Sequence, residues 1–275
     1  MKQACVIGWP VEHSRSPLIH GYWLEKYGVD GAYTKVPVTP EELRTFLSGF
    51  AERGFIGCNV TVPHKEAALA AADVPDAAAR VIGAANTLWL EAGRLHATNT
   101  DAYGFITHLA QSAPDWQRQD RRVAVLGAGG AARAIVHALL EQGVTAIHVF
   151  NRSPGRAGAL ARHFGPTVRA RQWQDRSRLE GMGVLVNTTT LGMQGAPALD
   201  VELAALPSDA VVYDVVYVPL ETPLLAAARL RGLIAVDGLG MLLHQAVPGF
   251  EKWFGVRPEV TPELRDLLIA ALARS

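Results

Sequence analysis

The chain has 275 residues, 49% of them apolar, and 26 basic residues balance 26 acidic ones to a formal net charge of zero. That length predicts about two domains and allows a sizeable core. The charge balance excludes a disordered charged tail and argues against a nucleic-acid binder that works through a global positive field.

In chain order, strand-like apolar runs alternate with helix-length segments. The first strand is 4–8, followed by a helix over 16–28, a strand over 32–38, a helix over 40–54 and a strand over 55–60. Thr61 and Pro63 signal a helix start ahead of the segment 64–71. Further strand-like pieces end near Asn86 and Asn99, and a helical pattern covers 101–111. The polar stretch 112–122 then leads into the strongest strand, 122–127, which places a domain transition near 101–121. Beyond it lie a helix over 130–143, strands over 146–150, 183–188 and 210–216, and a helix over 222–232 opened by Thr222 and Pro223. Residues 238–275 carry no further strand pattern and read as two helices. Short strands alternating with helices mean an α/β fold with mainly parallel sheets.

The first thirteen residues lack the continuous apolar region of a secretory signal. The longest uncharged run, 181–199, is broken by Asn187, Thr188, Thr189, Thr190, Gln194 and Pro197, so no spanning helix is expected. Cys5 and Cys58 form no CxxC and read as reduced, buried residues of a cytoplasmic protein. The nine histidines show no HExxH or HxxxH spacing, and no metal site is expected.

In RVAVLGAGGAARAIVHALLEQG (122–143), a buried strand runs into Gly127, Ala128, Gly129, Gly130, Ala131 and Ala132, which open a helix. This is GxGxxA, a form of the dinucleotide fingerprint. Gly127 permits the turn, Gly129 lets backbone approach a pyrophosphate, and Ala132 allows close helix–strand contact. The helix N-terminus offers unpaired N–H groups to phosphates. A bare glycine-rich turn is the competing reading, but strand, helix and next strand all fit a bound nucleotide. After the second strand, NAD-binding units usually carry an acid that bonds the ribose. Here stand Asn151, Arg152 and Ser153, a set suited to a 2′-phosphate and hence to NADP. Between residues 151 and 178 there are seven arginines against one acid, Asp175. Most of these arginines read as a solvated face; Arg152 reads as a phosphate ligand. Asn187, Thr188 and Thr189 end a strand and are candidate cofactor contacts, or ordinary turn residues.

Three polar clusters in the first 101 residues exceed what packing needs. Ser14 and Ser16 flank Arg15 at a helix start, where one serine would serve as cap. Asn59, Thr61 and Lys65 lie at a strand-to-helix transition, and Asn86, Asn99, Thr100 and Asp101 end further strands. Such short donors and acceptors suit a polyol substrate. A lysine in the first turn of a helix is disfavoured as a cation by the dipole and by burial, the direction useful for proton transfer. Asp101 is its plausible orienting partner. A solvated surface charge is the ordinary alternative for a lone lysine.

Taken together, IGWPVEHSRSPLIH (7–20), NVTVPHK (59–65), GAANT (83–87), NTDAYGF (99–105), GAGGAARA (127–134), NRS (151–153), YDVVYVPLETPLL (213–225) and DGLGMLLHQ (237–245) resemble the shikimate dehydrogenase family, in order and over nearly the whole chain. The resemblance implies two α/β domains with a cleft between them. Residues 1–101 and 238–275 would form a discontinuous substrate domain, and 102–237 a Rossmann-type NADP domain that closes on the bound pair. Ser14, Ser16 and Tyr217 would bind the substrate carboxylate. Thr61, Asn86, Asp101 and Gln245 would hold the ring hydroxyls, and Lys65 with Asp101 would be catalytic. Gly127, Ala128, Gly129, Gly130, Ala131, Asn151, Arg152, Ser153, Arg156, Thr188, Val215, Gly238 and Met241 would contact NADP. Asn59, Tyr213 and Met241 would also support the site from behind. Three departures from the family pattern are Gly21 for an asparagine, Ala102 for a glycine and the bulkier Thr188 in NTTT.

The implied activity is reversible reduction of 3-dehydroshikimate with NADPH in aromatic biosynthesis. The implied enzyme is a cytoplasmic monomer or homodimer taking a small-molecule substrate, with neither nucleic acid nor membrane as partner. A broader quinate/shikimate dehydrogenase using NAD is the nearest alternative. A non-catalytic, nucleotide-gated sensor is the alternative from another class; intact Lys65 and Asp101 argue against it.

Overall fold

Apolar, β-branched runs become the inner strands, and the polar residues that close them fall at strand ends. The computed structural model describes residues 1–117 and 122–274. The first half contains β1 (Lys2–Gly8), α1 (Ser16–Lys26), β2 (Gly31–Pro37), α2 (Leu43–Ser48), β3 (Phe55–Val60) and α3 (Lys65–Ala71). It continues through β4 (Val74–Pro75), α4 (Ala77–Ile82), β5 (Thr87–Glu91), β6 (Arg94–Thr98) and α5 (Asp101–Ser112). After a 3-10 turn at Pro114–Gln117 come β7 (Arg122–Leu126), α6 (Gly130–Glu141), β8 (Ile147–Asn151), α7 (Pro154–Phe164) and β9 (Val168–Gln172). The chain ends with β10 (Met182–Asn187), β11 (Val211–Asp214), α8 (Pro223–Leu230), β12 (Ile234–Val236), α9 (Leu239–Phe254) and α10 (Pro262–Leu272). Of the transition expected near 101–121, residues 118–121 lie outside the described residues.

The chain divides into two compact units, Met1–Tyr103 with Leu243–Ser275, and Gly104–Leu242. The first unit carries a sheet in the order β2-β1-β3-β5-β6-β4. The strands pair mainly in parallel, as expected, with one exception: β5 runs antiparallel to both β3 and β6. The cause is local. Ala92 at φ 50° and Gly93 at φ 74° form a two-residue left-handed turn, which returns the chain alongside itself. The helix expected over 40–54 shortens to Leu43–Ser48, ending at Gly49, where a helix interior is costly. Thr61 does not cap α3. The backbone N–H of His64 bonds Thr61 O at 3.0 Å, and this turn delays the helix to Lys65.

Cys5, Ile7, Cys58, Val60, Leu88 and Ala97 lie in the core under this sheet with Phe46 and Phe50. A second apolar group is aromatic: Trp23, Tyr33, Phe250 and Trp253 surround His20. It ties α9 to the first unit, where Trp253 Nε1 also donates to Leu88 O at 2.9 Å. Trp23 Nε1 donates to Glu259 O at 3.0 Å, and Thr261 caps α10 by accepting from the Leu264 N–H.

The second unit carries an all-parallel sheet in the order β12-β11-β10-β7-β8-β9. Strand order reverses between β7 and β10. Loops leaving the two strands at such a switch point diverge and open a crevice. The helix α7 and strand β9 occupy the arginine-rich stretch that had read as a solvated face. β9 is an edge strand with four of its five residues exposed, and Val168 and Ala170 are its only apolar positions, too few to announce a strand.

Candidate active site

In the first unit, the ends of β1 and β3 and the starts of α1, α3 and α5 supply the polar residues. Lys65 is the first residue of α3 and Asp101 the first of α5, so both side chains sit at helix N-termini. They form an ion pair through Lys65 Nζ and Asp101 Oδ2, with the lysine side chain 20% exposed and the aspartate 9%. A carboxylate is favoured at a helix N-terminus and a lysine is not. Lys65 therefore holds its place through the pair.

Asn86 Nδ2 donates to the other carboxylate oxygen, Asp101 Oδ1, at 2.8 Å. Asn99 Oδ1 accepts the Asp101 N–H at 3.0 Å, and Asn99 Nδ2 donates to Ala84 O at 3.0 Å. Gln245, from α9, brings its carbonyl oxygen to 3.4 Å from Asn86 Nδ2 and 3.5 Å from Thr100 Oγ1. Neither serine acts as the α1 N-cap. Ser14 Oγ instead accepts the Ser16 N–H at 3.3 Å and donates to Ser16 Oγ at 3.3 Å, which pairs the two hydroxyls. Thr61 lies beside Gly8, whose missing Cβ leaves room for the threonine methyl. Asn59 bonds Tyr33, Thr87 and the Asn86 carbonyl.

In the second unit, β7 ends at Gly127, where φ is 111°, a left-handed value that strains any other residue. A Cβ at Gly127 would also strike the Thr188 hydroxyl, whereas one at Gly129 would meet open space. Gly127 is required by the turn, and exposed Gly129 leaves the start of α6 approachable. Ala128, Gly130 and Ala131 line the same turn, half-buried. Asn151 ends β8, and its side chain donates to Ser153 O at 3.0 Å, closing the turn into α7. Arg152 and Arg156 are exposed, and among the described residues no ion pair engages either. An open glycine turn at a helix start beside two uncommitted arginines fits a dinucleotide with an extra phosphate.

Thr188 commits its hydroxyl to Leu126 O at 2.7 Å, so it offers a ligand its methyl group and remaining lone pairs. Val215 N donates to Asn187 O at 3.0 Å, and Gly238 is flush against the Val215 carbonyl, where a Cβ would collide with backbone. Met241 is buried, Tyr217 is half-buried, and both belong to this unit with Gly238. The remaining expected substrate residues all lie in the first unit.

Sequence reading singled out no role for Asp214, which is fully buried at the end of β11. Its carboxylate accepts from Asn187 Nδ2 at 2.9 Å, Val216 N at 3.1 Å and Thr222 Oγ1 at 2.7 Å. Burial raises its pKa, and those three bonds oppose the shift. The available signal was the pairing of Asn187 with the Thr222 cap, but those residues are far apart in sequence. Tyr33 and Thr87 were likewise given no role of their own. Among the described residues, no group of three or more His, Cys, Asp or Glu could hold a metal, and no helix is long and apolar enough to cross a membrane.

Known proteins match the chain along its length. The family profile described as "Shikimate dehydrogenase substrate binding domain" matches residues 6–88, "Shikimate / quinate 5-dehydrogenase" matches 108–192, and "Shikimate 5'-dehydrogenase C-terminal domain" matches 238–262. Shikimate dehydrogenase (NADP(+)) of Azorhizobium caulinodans is 55% identical over 274 residues, covering 99% of this chain and 98% of the relative. The crystal structure of shikimate 5-dehydrogenase from Thermus thermophilus with NADP(H) and shikimate superposes with a TM-score of 0.86 at 37% identity, covering 100% of this chain and 99% of that one. Quinate dehydrogenase from Corynebacterium glutamicum with NAD superposes at 0.89 with 31% identity, covering 98% and 99%. The chain belongs to the shikimate dehydrogenase family.

Proposed function

We propose that this chain catalyses the reversible reduction of 3-dehydroshikimate to shikimate with NADPH, a step of aromatic biosynthesis. The observation that carries this reading is the Lys65–Asp101 pair, held by Asn86 at the joined N-termini of two helices. When bound, NADPH supplies the hydride that adds to the C3 carbonyl carbon. The carbonyl π electrons move onto oxygen, and Lys65 donates a proton from Nζ to that oxygen. The ammonium also stabilises the negative charge developing there. Asp101 keeps Nζ on station. In the reverse direction, Lys65 takes the proton back.

Ser14, Ser16 and Tyr217 would bind the substrate carboxylate, and Thr61, Asn86, Asp101 and Gln245 the ring hydroxyls. The turn at Gly127, Ala128, Gly129, Gly130 and Ala131 would take the pyrophosphate, with Asn151, Arg152, Ser153 and Arg156 on the 2′-phosphate side. Thr188, Val215, Gly238 and Met241 would border the nicotinamide end. On this reading 1–101 with 238–275 is the substrate domain and 102–237 the NADP domain. Two buried free cysteines, Cys5 and Cys58, fit a reducing compartment, the cytoplasm. Small-molecule chemistry of this kind asks for no macromolecular partner beyond a monomer or homodimer.

Steady-state turnover of 3-dehydroshikimate with NADPH tests the reading directly. Likeness to a quinate dehydrogenase with NAD supports one competing activity. Quinate and shikimate, each oxidised with NADP and with NAD, separate the two. Preference for quinate or for NAD would overturn the assignment, as would ligand binding without any NADPH oxidation.

A further inference from the structure

The Asp101 carboxylate is backed by a buried chain of hydrogen bonds that begins on β2. We propose that Tyr33 and Thr87 are positioning residues for the reduction, acting through Asn59 and Asn86 on Asp101; this rests on the reading of Lys65 and Asp101 given above.

The donor in each bond is fixed by its neighbours. Asn59 Nδ2 lies 3.3 Å from the Asn86 carbonyl oxygen and 3.2 Å from Thr87 Oγ1. A backbone carbonyl only accepts, so the amino end of Asn59 must face it. Asn59 Oδ1 then faces Tyr33, whose hydroxyl donates to it at 2.6 Å. Burial raises the phenol's pKa well above its ordinary value, so Tyr33 keeps its proton to donate. His20 stacks on the Tyr33 ring at 3.9 Å and 11° and holds its orientation.

Thr87 Oγ1 receives the Asn59 amide, which leaves its own hydrogen for Asn86 Oδ1 at 3.0 Å. Asn86 Oδ1 also takes the Thr100 N–H at 2.8 Å, so Asn86 Nδ2 is turned towards Asp101 Oδ1 at 2.8 Å. The second oxygen of Asp101 is left for Lys65. Every donor therefore points from Tyr33 towards Asp101. Tyr33, Asn59, Thr87, Asn86 and Asp101 are all buried, so water does not substitute for a missing member. Without the Tyr33 hydroxyl, Asn59 Oδ1 is left a buried acceptor without its donor, and the amide shifts off Thr87 Oγ1 to find another. The Thr87 hydroxyl then turns to its other neighbour, Thr100 Oγ1 at 3.3 Å, and its hold on Asn86 is lost.

The test is steady-state reduction of 3-dehydroshikimate by the full chain, with thermal unfolding of each variant. Tyr33→Phe and Thr87→Val are each expected to lower kcat about fivefold, with the KM for NADPH within about twofold. Their combination is expected to lose no more than about tenfold, since both break one chain. Thr87→Ser, which keeps the hydroxyl, recovers most of what Thr87→Val loses. Should Tyr33→Phe not fold, the Thr87→Val and Thr87→Ser pair carries the test alone. Unchanged kcat in Tyr33→Phe or Thr87→Val overturns the relay, whatever the melting temperature does. So do losses that multiply in the double variant, or a Thr87→Ser as slow as Thr87→Val. Lys65→Ala, run beside them, separates the two readings. Near-normal turnover there removes the proton-transfer role, whereas a dead Lys65→Ala beside an unaffected Tyr33→Phe removes the relay alone.

Discussion

Each unit sets an asparagine beside a buried aspartate, and the two constructions share most of their parts. Asn86 Nδ2 donates to Asp101 Oδ1 at 2.8 Å in the first unit, and Asn187 Nδ2 donates to Asp214 Oδ1 at 2.9 Å in the second. In both, a threonine fixes the asparagine by giving its N–H and hydroxyl to the amide oxygen: Thr100 at 2.8 and 3.2 Å, Thr189 at 3.0 and 2.8 Å. The second oxygen of the aspartate is what differs. For Asp101 it meets the Lys65 ammonium; for Asp214 it meets the Thr222 hydroxyl at 2.7 Å. Asp214 gathers three segments, at 187, 216 and 222, around a carboxylate supported by neutral donors. A charge so placed serves to hold loops in register. Asp101 has the Lys65 ammonium on its outer oxygen, and on the proposed reading that one change is what equips the same scaffold for proton transfer.

The comparison breaks most sharply at Lys65. Lys65→Ala converts Asp101 into a carboxylate with neutral donors only, as Asp214 already is. We expect kcat to fall by about 10²–10⁴ with little change in KM, the scale of general acid catalysis. The fold should survive, with a melting temperature lowered by a few degrees. Near-normal turnover would make Asp101 and Asp214 equivalent in role.

Asp214 offers the converse. Asp214→Ala strips the acceptor from three buried donors and should cost about 2–4 kcal/mol in denaturant unfolding. The pH dependence carries a sign. Because burial raises the folded pKa of Asp214, the native state holds its proton longer than the unfolded chain. This group therefore costs stability as pH rises through that window, and the cost is absent below it. Asp214→Asn should compare best with the wild type at neutral pH and worse as the solution is acidified. A difference independent of pH would mean that the folded and unfolded chains bind this proton alike, so that burial does not raise the carboxyl's pKa.

How far these roles were legible in the sequence depended on locality. β3 was read at its observed bounds because the apolar run Phe55 to Cys58 gives way to Asn59 and Thr61 on either side of Val60. The Gly127 turn was legible because its strand, glycines and helix are contiguous. Lys65 and Asp101 stood out as residues following strand-like runs, although their pairing spans 36 positions. Asp214 and Tyr33 were not legible. Each sits inside a strand pattern, and its meaning comes from partners on other elements: Asn187 and Thr222 for one, Asn59 for the other. β9 was missed because an edge strand with only Val168 and Ala170 as apolar positions alternates too briefly among arginines to stand out. The helix start at Thr61 was misplaced because capping chemistry looks alike whether the next turn is helical or, as here, a single bend.

A smaller effect is expected at Arg152. Among the described residues, the second unit pairs Asp214 with no cation while placing exposed arginines at the end of β8, where the extra phosphate would sit. Arg152→Ala should raise the KM for NADPH about ten- to a hundredfold, the scale of one charge-assisted hydrogen bond, and leave NADH kinetics nearly as they were. Equal losses with both cofactors would show that Arg152 supports the turn itself and would blur the division between scaffold and ligand charges.

The smallest effect concerns the acid sensitivity that distinguishes the first unit from the second. His20 is fully buried among aromatic rings, with neither ring nitrogen hydrogen-bonded among the described residues. Burial lowers its pKa from 6.5 to about 3. The unfolded chain takes up this proton near pH 6.5, and the folded one does not until about pH 3. Stability from this group is thus intact above 6.5 and is lost as pH falls through that window, by at most about 1.4 kcal/mol per pH unit. Asp214 contributes with the opposite sign. Replacing His20 with Phe keeps a ring against Tyr33 and removes the proton. Urea unfolding followed by tryptophan fluorescence, with Trp23 and Trp253 beside the site, should show a flatter fall in stability between pH 6.5 and about 4.5 for the variant. His148 in the second unit, lowered to about 4 by burial and by Arg171, Arg169 and Arg122, supplies a residual slope in both proteins. If the two slopes coincide, acid sensitivity belongs to the second unit and the imidazole at position 20 is only a filler of the aromatic cluster.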